Sequence, residues 1–178
     1  QAMTLLFDND FADVGPTDVE MDVRVTGQQE TATITDVVMP TSPVAAGSVL
    51  GVRVTLRPYR GQPQTAEINL NMPADFPPGP ALLVVRAGGT ALLASSVLGT
   101  AVSATPSQGA PRDLAEAVKS FEQGEKNTDV VLELVGPPQR LQASAAAAAA
   151  NRITATGTTP WVLRGRFQMP VTIEGGSH

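Results

Sequence analysis

The 178-residue chain is 42% hydrophobic, with a mean hydropathy of +0.03 and a formal charge of −5 from 17 acidic and 12 basic residues. That apolar content is ample for a core and excludes a disordered chain, whereas scattered cations outnumbered by acids exclude the basic patch that nucleic acid requires. Cysteine is absent, so no disulfide framework or thiolate metal site can form.

Seven of the acids fall in residues 1–30, where Arg24 is the single base. No apolar run approaches the roughly 20 residues of a membrane-spanning helix, and the N-terminus lacks the basic and apolar regions of a signal peptide. Gln1 in place of a methionine reads as the start of a fragment. The closing GGSH, residues 175–178, reads as a tag remnant and is set aside.

The first element expected is a strand over residues 17–25, TDVEMDVRV. Val19, Met21, Val23 and Val25 alternate with Asp18, Glu20, Asp22 and Arg24, the period of a half-buried strand. ATITDVVM predicts a second strand, with Ala32, Ile34 and either Val37 or Val38 facing inward. PTSPVAAG punctuates, and VLGVRVTL then places Leu50, Val52, Val54 and Leu56 on one face.

Pro58, Gly61 and Pro63 end that strand at PYRGQPQ, and TAEINLNM returns as a fourth, with Ala66, Ile68, Leu70 and Met72 inward. After the proline-rich corner PADFPPGP, the continuous run ALLVVRA suits a strand buried on both faces. Residues 17–103 are therefore expected to form the body of an antiparallel β-sandwich.

ATPSQGAP, residues 104–111, reads as a linker. In RDLAEAVKSFEQG the period changes, and Leu114, Ala117, Val118 and Phe121 share one face of an amphipathic helix ending near Gly124. VVLELV predicts a further strand, and the alanine-rich LQASAAAAAANR has high helical propensity. WVLRGRFQMPVTI reads as one long final strand with Phe167, Met169, Val171 and Ile173 on one side, its Pro170 implying an edge or a bulge. The fold class is thus mainly β, an antiparallel sandwich over residues 1–103 with a small α+β elaboration over 104–174 that packs on the same core.

The candidate chemistry is sparse. A serine nucleophile needs a base, and the single histidine, His178, lies in the tag remnant; Ser48 in AAGSVLG therefore reads as a turn residue. A carboxylate hydrolase would require two of Asp18, Glu20 and Asp22 in a cleft, but their alternation with valines describes a solvated sheet face. Asp8, Asp10 and Asp13 supply oxygen ligands suited to calcium, although their spacing departs from an EF-hand loop, whose glycine and closing glutamate are misplaced or missing. Neither phosphate-binding glycine motif occurs. Tyr59, between Arg57 and Arg60, is either a binding aromatic or the corner of a turn, and Trp161 is a core plug or a binding platform.

The stretch TITDVVMPTSPVAAGSVLGVRVTLRPYRGQPQTAEINLNMPADFPPGPALLVVRAGG resembles the Ig-like region that follows the peptidase domain in bacterial serine peptidases of the sporulation stage IV B type and their relatives. The shared pattern is a glycine turn, an alternating strand ending in L-x-P-Y-R-G, a second strand closed by M-P, and P-x-G before an apolar strand. DLAEAVKSFEQGEKNTDVVLELV and WVLRGRFQMPVTI are similar to the helix, asparagine turn and strands that follow there, so the likeness covers about residues 5–173.

The resemblance implies no catalytic residue in this chain, because proteolysis belongs to an upstream domain. It implies a non-catalytic accessory module of a larger extracytoplasmic protein (secreted, periplasmic or envelope-associated) that binds a protein partner or the linked peptidase domain. The other function classes that fit the residues are an independent ligand-binding or adhesion module, with calcium at residues 8–13, and the carboxylate hydrolase. No resident cofactor is expected.

Overall fold

The computed structural model describes residues 18, 20–23, 25, 27, 29–40, 43–89, 113–122, 124–136 and 151–175. Two compact units divide the chain, one of residues Gln1–Gln28 with Ala94–Glu125, the other of Gln29–Leu93 with Lys126–His178.

The described helix of the first unit is α1, Leu114–Glu122. Asp113 caps it, its Oδ1 accepting a hydrogen bond from the Glu116 amide at 2.8 Å. The D-x-x-E spacing is that of a capping box, and Glu116 in the first turn and Lys119 in the last both complement the helix dipole. Leu114 and Val118 are half-buried on the expected apolar face.

The second unit is a β-sandwich of two sheets. Its strands are β1 (Thr31–Val38), β2 (Val44–Ala45), β3 (Val49–Pro58), β4 (Gln64–Asn71), β5 (Gly79–Ala87), β6 (Asp129–Val135), β7 (Arg152–Thr158), β8 (Val162–Arg164) and β9 (Arg166–Glu174). Sheet A runs β4-β3-β1-β8 and sheet B runs β2-β9-β5-β6-β7. Pairing is antiparallel except for β1 with β8 and β2 with β9, which are parallel. Strands from both sides of residue 104 thus build one sandwich, since β6, β7 and β9 are part of sheet B.

The inner faces follow the alternation of the sequence. Leu50, Val52, Val54 and Leu56 of β3 are buried against Leu83, Val85, Val130, Leu132 and Leu134 of sheet B. Each such side chain contributes about 1.5–3 kcal/mol through burial, so the two facing strands supply much of the stability. Ile68, Leu70 and Met72 complete the inner face of β4 as expected. In β1 a bulge between Ile34 and Asp36 inserts Thr35 and shifts the parity, so that Val37 is buried while Val38 is half-exposed. That bulge decides between the two inward candidates that alternation left open.

Three expectations are overturned. Residues 18, 20–23 and 25 form no strand, and Met21, Val23 and Val25 are 79%, 71% and 90% exposed. Alternation prepares a face, but a strand also needs an edge to pair with, and these residues have none among those described. The region after the alanine run contains β7, whose threonines and glycine gave no apolar signal; Arg152, placed in the alanine-rich helical segment, is its first residue. Of that segment, residues 141–150 lie outside the described residues.

The long final strand is also two strands in different sheets. The chain crosses from β8 to β9 at Gly165, which has φ +112 and whose added Cβ would meet Ile34 Cβ and O at 3.2 Å. The inward set Phe167, Met169, Val171 and Ile173 holds for β9. Pro170 sits where β9 pairs only with β5, because β2 reaches no further than Ile173 and Glu174, so the missing N–H falls on a free edge.

The turn that leads into β6 is fixed by Asp129, which is buried. Its Oδ2 accepts from the Lys126 amide at 2.8 Å and its Oδ1 from Thr158 Oγ1 at 2.9 Å, tying the turn to β7. Asp129→Ala leaves two donors without acceptors and lowers stability by about 2 kcal/mol, whereas Asp129→Asn keeps one acceptor and costs less. Urea denaturation of the two variants checks this order, and equal losses would count against it.

Candidate binding surface

Sheet A turns its outer face to solvent. On β3 the outward residues are Val49, Gly51, Arg53, Thr55 and Arg57, and on β4 Thr65, Glu67, Asn69 and Asn71. Arg53 faces Glu67 on one side and Val38 on the other, placing opposite charges at facing positions. Beside them lies an open depression of about 340 Å³ lined by Val38, Met39, Pro40, Gly51, Arg53 and Glu67. Gly51 keeps its floor low: a Cβ there would lie 3.4 Å from Asn69 Oδ1. Val38 and Val49, 49% and 60% exposed, make this part of the face apolar.

At the other end of sheet A the register brings charges of one sign together. Thr33 of β1 pairs with Arg57 of β3 and with Arg164 of β8, giving an exposed row Arg57, Thr33, Arg164 across three strands. The turn after β3 adds Tyr59 and Arg60. Tyr59 donates its amide to Thr31 O at 2.9 Å and is 50% exposed, while the Arg60 guanidinium lies 5.1 Å from the centre of its ring. Arg60 has φ 54, the left-handed conformation that closes this turn. Among the described residues, Arg57, Arg60 and Arg164 form no ion pair. Glu30 and Asp36 are exposed acids beside this end.

Tyr59 stands at the turn corner with its ring half-exposed, and Arg60, itself exposed, lies over that ring. Trp161 comes to the same end of the sheet, because Val162 donates to Glu30 O at 2.9 Å; the indole is half-buried against the core and acts as a plug. The structure therefore gathers Arg57, Tyr59, Arg60 and Trp161 at one end of sheet A. Arg164 was missed by sequence reasoning, since a parallel pairing between β1 and β8 leaves no local signal.

The remaining candidates separate. Ser48 Oγ donates to Ala45 O at 2.6 Å, the turn role expected of it. Asp18, Glu20 and Asp22 are each exposed, so they form no cleft for a carboxylate pair. Asp8, Asp10 and Asp13 lie outside the described residues, among which no group of three or more His, Cys, Asp or Glu side chains is placed to hold a metal.

A second charged group lies on the face of sheet B that points away from the core. Arg86 of β5 and Glu133 of β6 are 2% and 4% exposed, with Arg86 Nε 3.5 Å from Glu133 Oε2. Arg152 of β7 pairs with the other oxygen of Glu133. Val84 and Val131 are buried on this face too, so β5 is buried on both faces as its continuous apolar run predicts.

Neither a family model, nor a curated protein, nor a solved structure matches the chain.

Proposed function

We propose that this β-sandwich is an immunoglobulin-like, non-catalytic, protein-binding module of a larger extracytoplasmic bacterial protein, joined there to a serine peptidase domain. The observation that carries the reading is the outer face of sheet A, where three arginines without ion pairs among the described residues stand beside a half-exposed tyrosine at one end and exposed valines lie at the other. Arginine, tyrosine and apolar side chains on an open sheet face are the composition of a binding surface. The RPYRG motif, which carries the family resemblance, forms one end of that same face. Ser48, the one serine considered as a nucleophile, spends its hydroxyl on the Ala45 carbonyl.

Calorimetric titration of the chain with an isolated serine peptidase domain of the resembled type tests the reading. Saturable binding with one-to-one stoichiometry is expected. Absence of heat and of co-migration on gel filtration would remove the link to the peptidase.

A further inference from the structure

We infer that the Arg57, Thr33, Arg164 row of sheet A takes an extended acidic peptide, one that carries carboxylates at alternate positions. The inference rests on the protein-binding reading and names the partner's chemistry. Arg57 and Arg164 flank Thr33 on adjacent strands, so their Cα atoms stand about 10 Å apart at the usual strand spacing. In an extended chain, side chains two residues apart point the same way and are about 6.7 Å apart. Two such carboxylates fall within reach of both flexible guanidinium groups, and the fork of an arginine binds a carboxylate through two hydrogen bonds.

Two features favour an extended peptide over a small anion. The row is exposed on the outer face of sheet A and spans three strands, longer than a small ion can bridge. Tyr59, held by Arg60, offers a half-exposed ring against which an apolar side chain of the same peptide packs. Charge decides the sign: Arg57, Arg60 and Arg164 outnumber Glu30 and Asp36 at this end, although the whole chain is acidic.

The chain itself contains a sequence of the required kind. In TDVEMDVRV, Asp18, Glu20 and Asp22 alternate with apolar residues, of which Met21 and Val23 are exposed. A fluorescein-labelled nonapeptide of that sequence is therefore the probe, titrated into the full chain and followed by anisotropy. Its amide counterpart TNVQMNVRV is the control.

The acidic peptide is expected to bind and to weaken with added salt, and binding falls about tenfold or more in R57S/R164S, a loss of at least roughly 1.4 kcal/mol. R166S, on β9 of sheet B, leaves binding unchanged. Equal binding of the amide peptide, indifference of R57S/R164S, or full competition by millimolar inorganic phosphate would each overturn the inference. Loss of the peptide interaction while the peptidase domain still binds would sink the acidic strand alone and leave the broader reading standing.

Discussion

Glu133→Leu is expected to lower the stability of the protein by about 3 kcal/mol, because it takes the carboxylate away from a buried guanidinium and puts an apolar side chain beside that charge. Glu133 is 4% exposed and stands between Arg86, itself 2% exposed, and Arg152, whose side chain is 23% exposed. Arg152 reaches solvent when its partner is lost, whereas the Arg86 side chain is buried. The cost therefore falls mainly on Arg86. The double variant R86M/E133L removes both buried charges while keeping apolar volume, and is expected to recover at least half of the loss. Guanidinium denaturation of both singles and the double measures it. If the double variant lost as much as the sum of the singles, the two residues would not be coupled and the account of this face would be wrong.

Gly165→Ala is expected to cost about 3 kcal/mol, since a side chain at φ +112 is strained and its Cβ has no room. The crowding comes from backbone and Cβ of Ile34, at 3.2 Å, and neither atom is the end of a flexible side chain. Gly165 is also where the chain leaves sheet A for sheet B, and its carbonyl accepts the Ala87 amide at 3.2 Å. Strain at that corner moves β8 and β9 together. The variant should therefore lose amide-exchange protection first at Leu163 and Ala87, whose hydrogen bonds flank the corner. A variant as stable as the parent would show that β8 and β9 adjust independently.

Both expected effects arise at residues whose importance the sequence hides. Arg86 reads as an interruption of an apolar run and Glu133 as one polar residue in VVLELV. Their contact follows from the antiparallel pairing of β5 with β6, which places Arg86 opposite Val131 and Val84 opposite Glu133. Gly165 reads as one glycine inside a strand, a position where a bulge or close backbone approach is common. That it is a sheet-to-sheet corner depends on where Ile34 lies.

The binding surface was legible in part. Tyr59, Arg57 and Arg60 are adjacent in sequence, and Pro58, Gly61 and Pro63 mark their turn, so the corner could be read from the residues alone. Arg164 enters the same surface only through the parallel register of β1 and β8. The segment over 17–25 shows the opposite failure, strong local patterning without a strand at the described positions. Strand β7 shows that a chain with weak patterning still forms a strand where β6 offers it an edge.

What the sequence by itself determined is therefore the set of inward residues in β3, β4 and β9, the existence of β5 and β6, and the turn at Tyr59. The two-residue period of a strand is local: each residue's side is set by its neighbours in the chain, and the burial of Leu50, Val52, Val54 and Leu56 follows from it. The tertiary structure alone decided which strands pair, on which side of the Thr35 bulge Val37 falls, where the last strand breaks, and which arginines meet. Those outcomes depend on hydrogen bonds and contacts between segments far apart in the chain, for which no local periodicity carries a signal.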